Sequence, residues 1–174
     1  MTPEEVRRLF GYNAWAFERV WSCVEQLTDE QFVEEVDYSR GSVRNQMLHI
    51  ITAIERWMQR LDGNPPSAGP PADDFPTRAS VHARWELTRA ALNGYLDDLD
   101  QGQLDEIVEG RLAGRGLDYA NTRSDLLQHL SNHGTDHRAQ VLAILHSEFH
   151  IPTVEQDQAL YLIEIAGSAG QEDR

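Results

Sequence analysis

The sequence predicts an all-α protein: a four-helix bundle with a short additional C-terminal helix and long loops. Three observations support this. Apolar residues recur at spacings of three and four, the period of a helix with one buried face. No long alternating run of the kind a half-buried strand needs is present. A Ser, Thr or similar capping residue also stands ahead of each periodic stretch.

Thr2-Pro3-Glu4-Glu5 reads as an N-cap, a proline at the first helical position and an acid at the third. Val6, Leu9, Phe10, Trp15, Phe17, Val20, Val24 and Leu27 follow, placing the first helix from about Pro3 to Leu27. Thr28-Asp29-Glu30-Gln31 is a second capping box, expected to open a short turn of helix. Ser42 caps the next helix, whose seam is Val43, Met47, Ile50, Ile54, Trp57 and Leu61. From Gly63 to Pro76 five prolines and two glycines require a loop. A domain linker is the other reading, but neither half has enough helix to bury a core alone. Thr77 caps a helix to about Leu99. Gln101 to Asn121 is irregular, and Ile107-Val108 and Arg111-Leu112 flank Gly110 as in a small hairpin. Thr122 caps a helix to about His146, and Thr153-Val154-Glu155-Gln156 caps a last one ending near Ala166. The expectation is one domain over residues 1–166 and a small, polar tail over 167–174 that frays.

Composition narrows the function. The 174 residues can bury a sizeable core. With 15 basic and 29 acidic residues the net charge is −14, which repels phosphate backbones and anionic membranes, so neither nucleic acid nor membrane is an expected partner. No apolar run is long enough to span a bilayer. Met1-Thr2-Pro3-Glu4-Glu5 lacks the basic start and apolar run of a signal peptide, so a cytoplasmic protein is expected. Cys23, among Trp21, Val24 and Leu27, reads as a small buried hydrophobe.

The histidines carry the chemistry. Leu126, Leu127, Leu130, Val141, Ile144 and Leu145 set the apolar stripe of the fourth long helix, and His133 and His137 fall inside it, one turn apart. Imidazoles facing a core need partners. A divalent ion satisfies both at once, and His-x-x-x-His on a helix is a common way to present two nitrogens to it. Structural histidines with ordinary hydrogen-bond partners are the other reading. His49, at the flank of the second helix's seam, is the candidate third ligand. Three imidazoles suit Zn or Ni, with Fe or Mn next, and leave a position open, as catalytic rather than structural sites do.

His129 reads first as a pocket wall or a support for the ligands, with a ligand or a surface residue as the other readings. Asp136 and Glu55 are carboxylates that could orient an imidazole, with a solvated face favoured for Asp136. Arg138 could bind a cofactor or substrate carboxylate, or close an ion pair. His82, His146 and His150 read as solvated or capping. Gly134 removes a side chain where a neighbouring group could approach. No nucleophile elbow, P-loop or dinucleotide fingerprint is present.

Three stretches together resemble the DinB/YfiT-like superfamily of metalloenzymes: Leu9-Phe10-Gly11-Tyr12-Asn13-Ala14-Trp15; Ser42 to Ile50 followed by Glu55-Arg56-Trp57; and His129 to Gln140. The resemblance implies a four-helix bundle of unusual connection order, often a homodimer. It also implies a metal held by His49, His133 and His137, and S-transfer or isomerisation with a low-molecular-weight thiol. The leading expectation is therefore a metal-dependent transferase, in which a metal-stabilised thiolate attacks a small electrophilic substrate. The alternatives are a metal-dependent hydrolase, weakened because no Glu stands among Gly134, Thr135 and Asp136, and a non-catalytic metal- or small-molecule-binding dimer.

Overall fold

Helix starts are written into this chain, and the computed structural model, which describes residues 1–172, shows how each is used. In α1 (Pro3–Val24) Thr2 Oγ1 accepts from the Glu5 amide at 3.2 Å while Glu5 returns a carboxylate oxygen to the Thr2 amide at 2.8 Å. The same reciprocal cap opens α2 (Asp29–Val33) through Thr28 and Gln31. Ser42 caps α3 (Val43–Leu61), Thr77 caps α4 (Arg78–Asp97), Asp100 caps α5 (Gln101–Asp105) and Thr122 caps α6 (Arg123–Ser147). Each cap satisfies amides that the first turn leaves free, typically about 1 kcal/mol per helix.

Both α1 and α4 stop short of their expected ends at Leu27 and Leu99. Past Val24 and Asp97 the amides of Leu27 and Leu99 reach back only three residues, to Val24 and Leu96, which tightens the chain out of the α-helix.

Long helices α1, α3, α4 and α6 form the bundle. α3 packs on α6 and α4, and α1 packs on α6 and α4. So α1 lies diagonal to α3, and α4 diagonal to α6. An up-down-up-down bundle would make every consecutive pair neighbours. Here only α3 and α4 are both consecutive and adjacent, and the two diagonal crossings are made by the segments carrying α2 and α5. This order seats α3 and α6 side by side, which brings His49 to the histidines of α6.

The core is apolar and aromatic. Phe17 stacks on Trp85 with centroids 3.8 Å apart, and Trp21 meets Phe32 edge-on at 6.2 Å. Cys23 is buried, in keeping with its reading as a small hydrophobe. Among the described residues no helix is long and apolar enough to cross a membrane.

Two segments depart from expectation. A hairpin does form, from β1 (Ile107–Leu112) and β2 (Leu117–Thr122), but Gly110 lies inside β1, opposite Tyr119. The turn is 113–116, closed by Gly116 at φ +66°. Gly110 is needed for packing: a Cβ there would run into the Tyr119 ring.

The final helix, α7 (Gln158–Glu172), starts later than the Thr153 capping pattern indicates and ends later than Ala166. Tertiary bonds hold 153–157 outside the helix. Gln156 O accepts from Tyr12 Oη at 2.8 Å, and Glu155 O accepts from Arg19 Nε at 3.0 Å. Asp157 then caps α7 through the Ala159 amide at 2.8 Å. The tail expected to fray from residue 167 starts within α7, and its last two residues, 173–174, lie outside the described residues.

Candidate metal centre

Seated side by side, α3 and α6 bring His49, His133 and His137 together. The i, i+4 spacing puts the two α6 rings 4.3 Å apart, centroid to centroid. His49 completes the triangle at 4.4 Å from His137 and 5.1 Å from His133. One ring nitrogen from each can be chosen so that all three lie within 4.8 Å of one another. A tetrahedral ion with bonds of 2.0–2.1 Å needs donors roughly 3.4 Å apart. Small rotations about the histidine side-chain torsions close that gap, so the donor set fits one divalent cation.

The electrostatics prepare the rings for that role. Burial, then Arg40 and the two other histidines, push His49 down to about 3. Burial and the neighbouring histidines push His133 down to about 4, against a small upward pull from Asp136. His137 is lowered by burial and by Arg40. All three are therefore neutral bases at pH 7, the form that binds a metal.

A ring of polar residues supports them. Gln46, fully buried on α3, sets its amide Nε2 2.7 Å from His137 Nδ1 and 2.7 Å from Gln140 Oε1. Its Oε1 accepts from Ser39 Oγ at 3.1 Å. Gln46 Nε2 donates to Nδ1, which leaves the ring proton on Nε2. To give Nε2 to an ion, the proton must move to Nδ1 and the Gln46 amide must turn its oxygen toward it, the pairing that orients metal-binding histidines. Gln140 in turn donates to Asp136 at 3.2 Å. Arg40, on the loop before α3, places Nη2 3.0 Å from His49 Nε2.

Other candidates from the sequence are distributed differently. His129 is exposed, packs edge-on against Trp57 at 5.4 Å, and stands 5.9 Å from His133; it extends the row of rings without joining the triangle. Asp136 is exposed, as a solvated face requires, yet close enough to bias His133 and His137. Glu55 orients no imidazole: its carboxylate pairs with Arg84 at 2.6 Å and accepts from Thr88 at 2.7 Å, because α4 offers a cation and a hydroxyl on that side. His82 is half-buried rather than free in solvent. It packs on Trp21 at 4.8 Å and meets Glu18 at 3.3 Å.

Arg138 is 1% exposed and turned toward α1, donating to Asn13 at 3.0 Å, Thr135 at 3.0 Å and Gln156 at 2.8 Å. Gly134 makes room for it: a Cβ there would lie 3.0 Å from Arg138 Nη1 and 3.2 Å from Asn13 Oδ1.

Two spaces adjoin the triangle. One is internal, lined by Phe10, Asn13, Phe17, His133 and Arg138; at about 20 Å³ it holds only a water or so. The other is an open groove of about 150 Å³ between His49, Asn45 and Thr52 and the Gly69-Pro70 stretch of the proline-rich loop. A small molecule has access from that side. Sequence reading missed Gln46 and Arg40. A glutamine inside the Val43–Ile50 seam is a detectable signal, since a buried amide demands partners. Arg40 sits in a loop and carries no such signal.

Comparison with known proteins gives the family and a matching fold. The model of the DinB family matches residues 1–148. The chain is 25% identical over 160 residues to Protein DinB of Bacillus subtilis (strain 168), covering 89% of this chain and 92% of that one. Its fold is similar to a DinB-like protein from Bacillus cereus ATCC 10987, with a TM-score of 0.62 at 18% identity over 84% of this chain and 94% of that one. It is likewise similar to a conserved protein from Enterococcus faecalis, with a TM-score of 0.65 at 13% identity over 84% of this chain and 96% of that one.

Proposed function

The chain belongs to the DinB family, and we propose that it is a metal-dependent enzyme, a transferase or isomerase that acts on a small electrophilic substrate with a low-molecular-weight thiol. The observation that carries this reading is the convergence of three neutral imidazoles, His49, His133 and His137, beside a solvent-open groove. These three would hold one divalent ion, Zn or Ni first. Such an ion would lower the pKa of a thiol or water in its remaining position.

The chain's own residues do the rest. Burial keeps the ligands free of protons, so no proton has to leave before an ion binds. Gln46 holds the tilt of His137 and, with its amide oxygen turned to Nδ1–H, would present Nε2 to an ion; Gln140 and Ser39 contact Gln46 in turn. Leu48 and the Gly69-Pro70 stretch give the groove an apolar wall for a small substrate. Arg138, with each of its three guanidinium nitrogens already hydrogen-bonded, serves as a strut between α6, α1 and residues 153–157 rather than as a free hand for a carboxylate. A homodimer in the cytoplasm belongs to the same reading.

Elemental analysis of tag-free protein tests the centre: about one divalent ion per chain is expected, and none in His49→Ala. A panel of low-molecular-weight thiols should raise the Tm of the metal-loaded protein only. Ester or amide turnover without any thiol effect would replace the transferase reading with a hydrolase.

A further inference from the structure

The geometry points to Arg40 as the residue that selects an anion for the open position beside His49, His133 and His137. This rests on the three-histidine reading above and extends it to the charge of the ligand.

Arg40 belongs to a loop whose backbone is fixed. Gly41 donates to Tyr38 O at 3.0 Å, Val36 donates to Gly41 O at 2.9 Å, and Asn45 Nδ2 donates to Arg40 O at 3.1 Å. Ser39, at φ +50°, ties the same loop to Gln46 and Gln140. The Arg40 side chain is thus delivered from the solvent side onto the histidine triangle. Its guanidinium cannot lose its proton, so it is the donor to His49 Nε2 and that nitrogen is the acceptor. All three imidazoles feel its charge. Among the described residues no carboxylate lies within 4.0 Å of it, in a chain with almost twice as many acids as bases. A cation aimed at three neutral bases, in so acidic a protein, is the reverse of what charge composition alone would place there.

A bound ion changes Arg40's position in one specific way. A neutral imidazole has one acceptor nitrogen. Once His49 gives one nitrogen to a metal, the other carries the proton, whichever is used. Arg40 then has no acceptor on His49 and stands next to a second cation. An anion entering from solvent meets both charges together, and a planar fork of N–H donors favours a carboxylate, thiolate or similar monoanion over a neutral ligand.

Cobalt(II) substitution tests this without reference to turnover. The visible spectrum of the Co(II) protein reports the three-histidine centre, and azide and imidazole titrations report the open position with a charged and a neutral probe. Arg40→Met should take up Co(II) at least as well as the wild type, since a repelling charge is gone. It should bind azide about tenfold more weakly, with imidazole affinity unchanged. Arg40→Lys should recover part of the azide affinity. Equal azide affinity in wild type and Arg40→Met would show that Arg40 swings into solvent, and would overturn the proposal while leaving the metal centre intact. No Co(II) spectrum in the wild type would instead remove the centre, and Arg40's role with it.

Discussion

Among the described residues two groups of three donors lie close enough to share a cation: His49, His133 and His137 between α3 and α6, and Glu18, His82 and Glu86 between α1 and α4. They differ in what already satisfies them. Glu18 accepts from the Trp85 indole at 2.6 Å and from His82 at 3.3 Å, and Glu86 pairs with Arg89 at 2.6 Å. Acid, base and donor answer one another, so a cation arriving there must displace partners. The histidine triangle is three bases with no acid in contact, supported from behind by amides and approached from the front by an arginine. Closeness of donors is common to both groups; three neutral bases, two of them accepting from Arg40 and Gln46, belong to one.

Substitutions can break that contrast. The largest effect is expected at the ligands: His133→Ala, like His49→Ala, should abolish stoichiometric metal uptake, read by elemental analysis. Glu18→Gln should leave metal content unchanged and cost only about 1 kcal/mol of stability in urea, because it weakens a hydrogen-bonded pair that water reaches. Equal loss of metal in both variants would erase the distinction. A smaller effect is expected at Gln46→Leu. The ligands remain but His137 loses its orienting amide, so metal affinity should drop roughly ten- to a hundredfold by competition with a chromogenic chelator.

Acid titration gives the smallest change and sharpens the contrast by its sign. In the unfolded chain these histidines titrate near 6.5; in the fold His49 and His133 do so at about 3 and about 4. Between those limits the unfolded state binds more protons, so the metal-free protein should lose stability as pH falls from about 6.5 toward 4. The loss of Tm over that range should be smaller in His49→Gln. Metal affinity, by contrast, should change no more than about twofold from pH 7.5 to 5.5, since no ligand proton has to leave.

Much of this was legible in the chain. Caps such as Thr2 with Glu5, together with the three-four periodicity, mark the long helices because both act within a single turn. The His133–His137 pair was legible for the same reason, and His49 through its helix. What local patterns could not reveal was decided between segments. The capping pattern at Thr153 was overruled by hydrogen bonds from Tyr12 and Arg19, residues far away in sequence. Glu55 was claimed by Arg84 on the next helix, and Arg40 was aimed by a loop whose course no periodicity encodes.

The diagonal order of the helices has a consequence for how the protein is held together. Gln46 and His137 touch although 91 positions separate them, so the α3–α6 seam closes a long loop. An ion shared across that seam would act as a reversible cross-link, removing from the unfolded chain the entropy of a loop that long. Withdrawing it would loosen the seam first, so that the integrity of the bundle and the occupancy of its centre would rise and fall together.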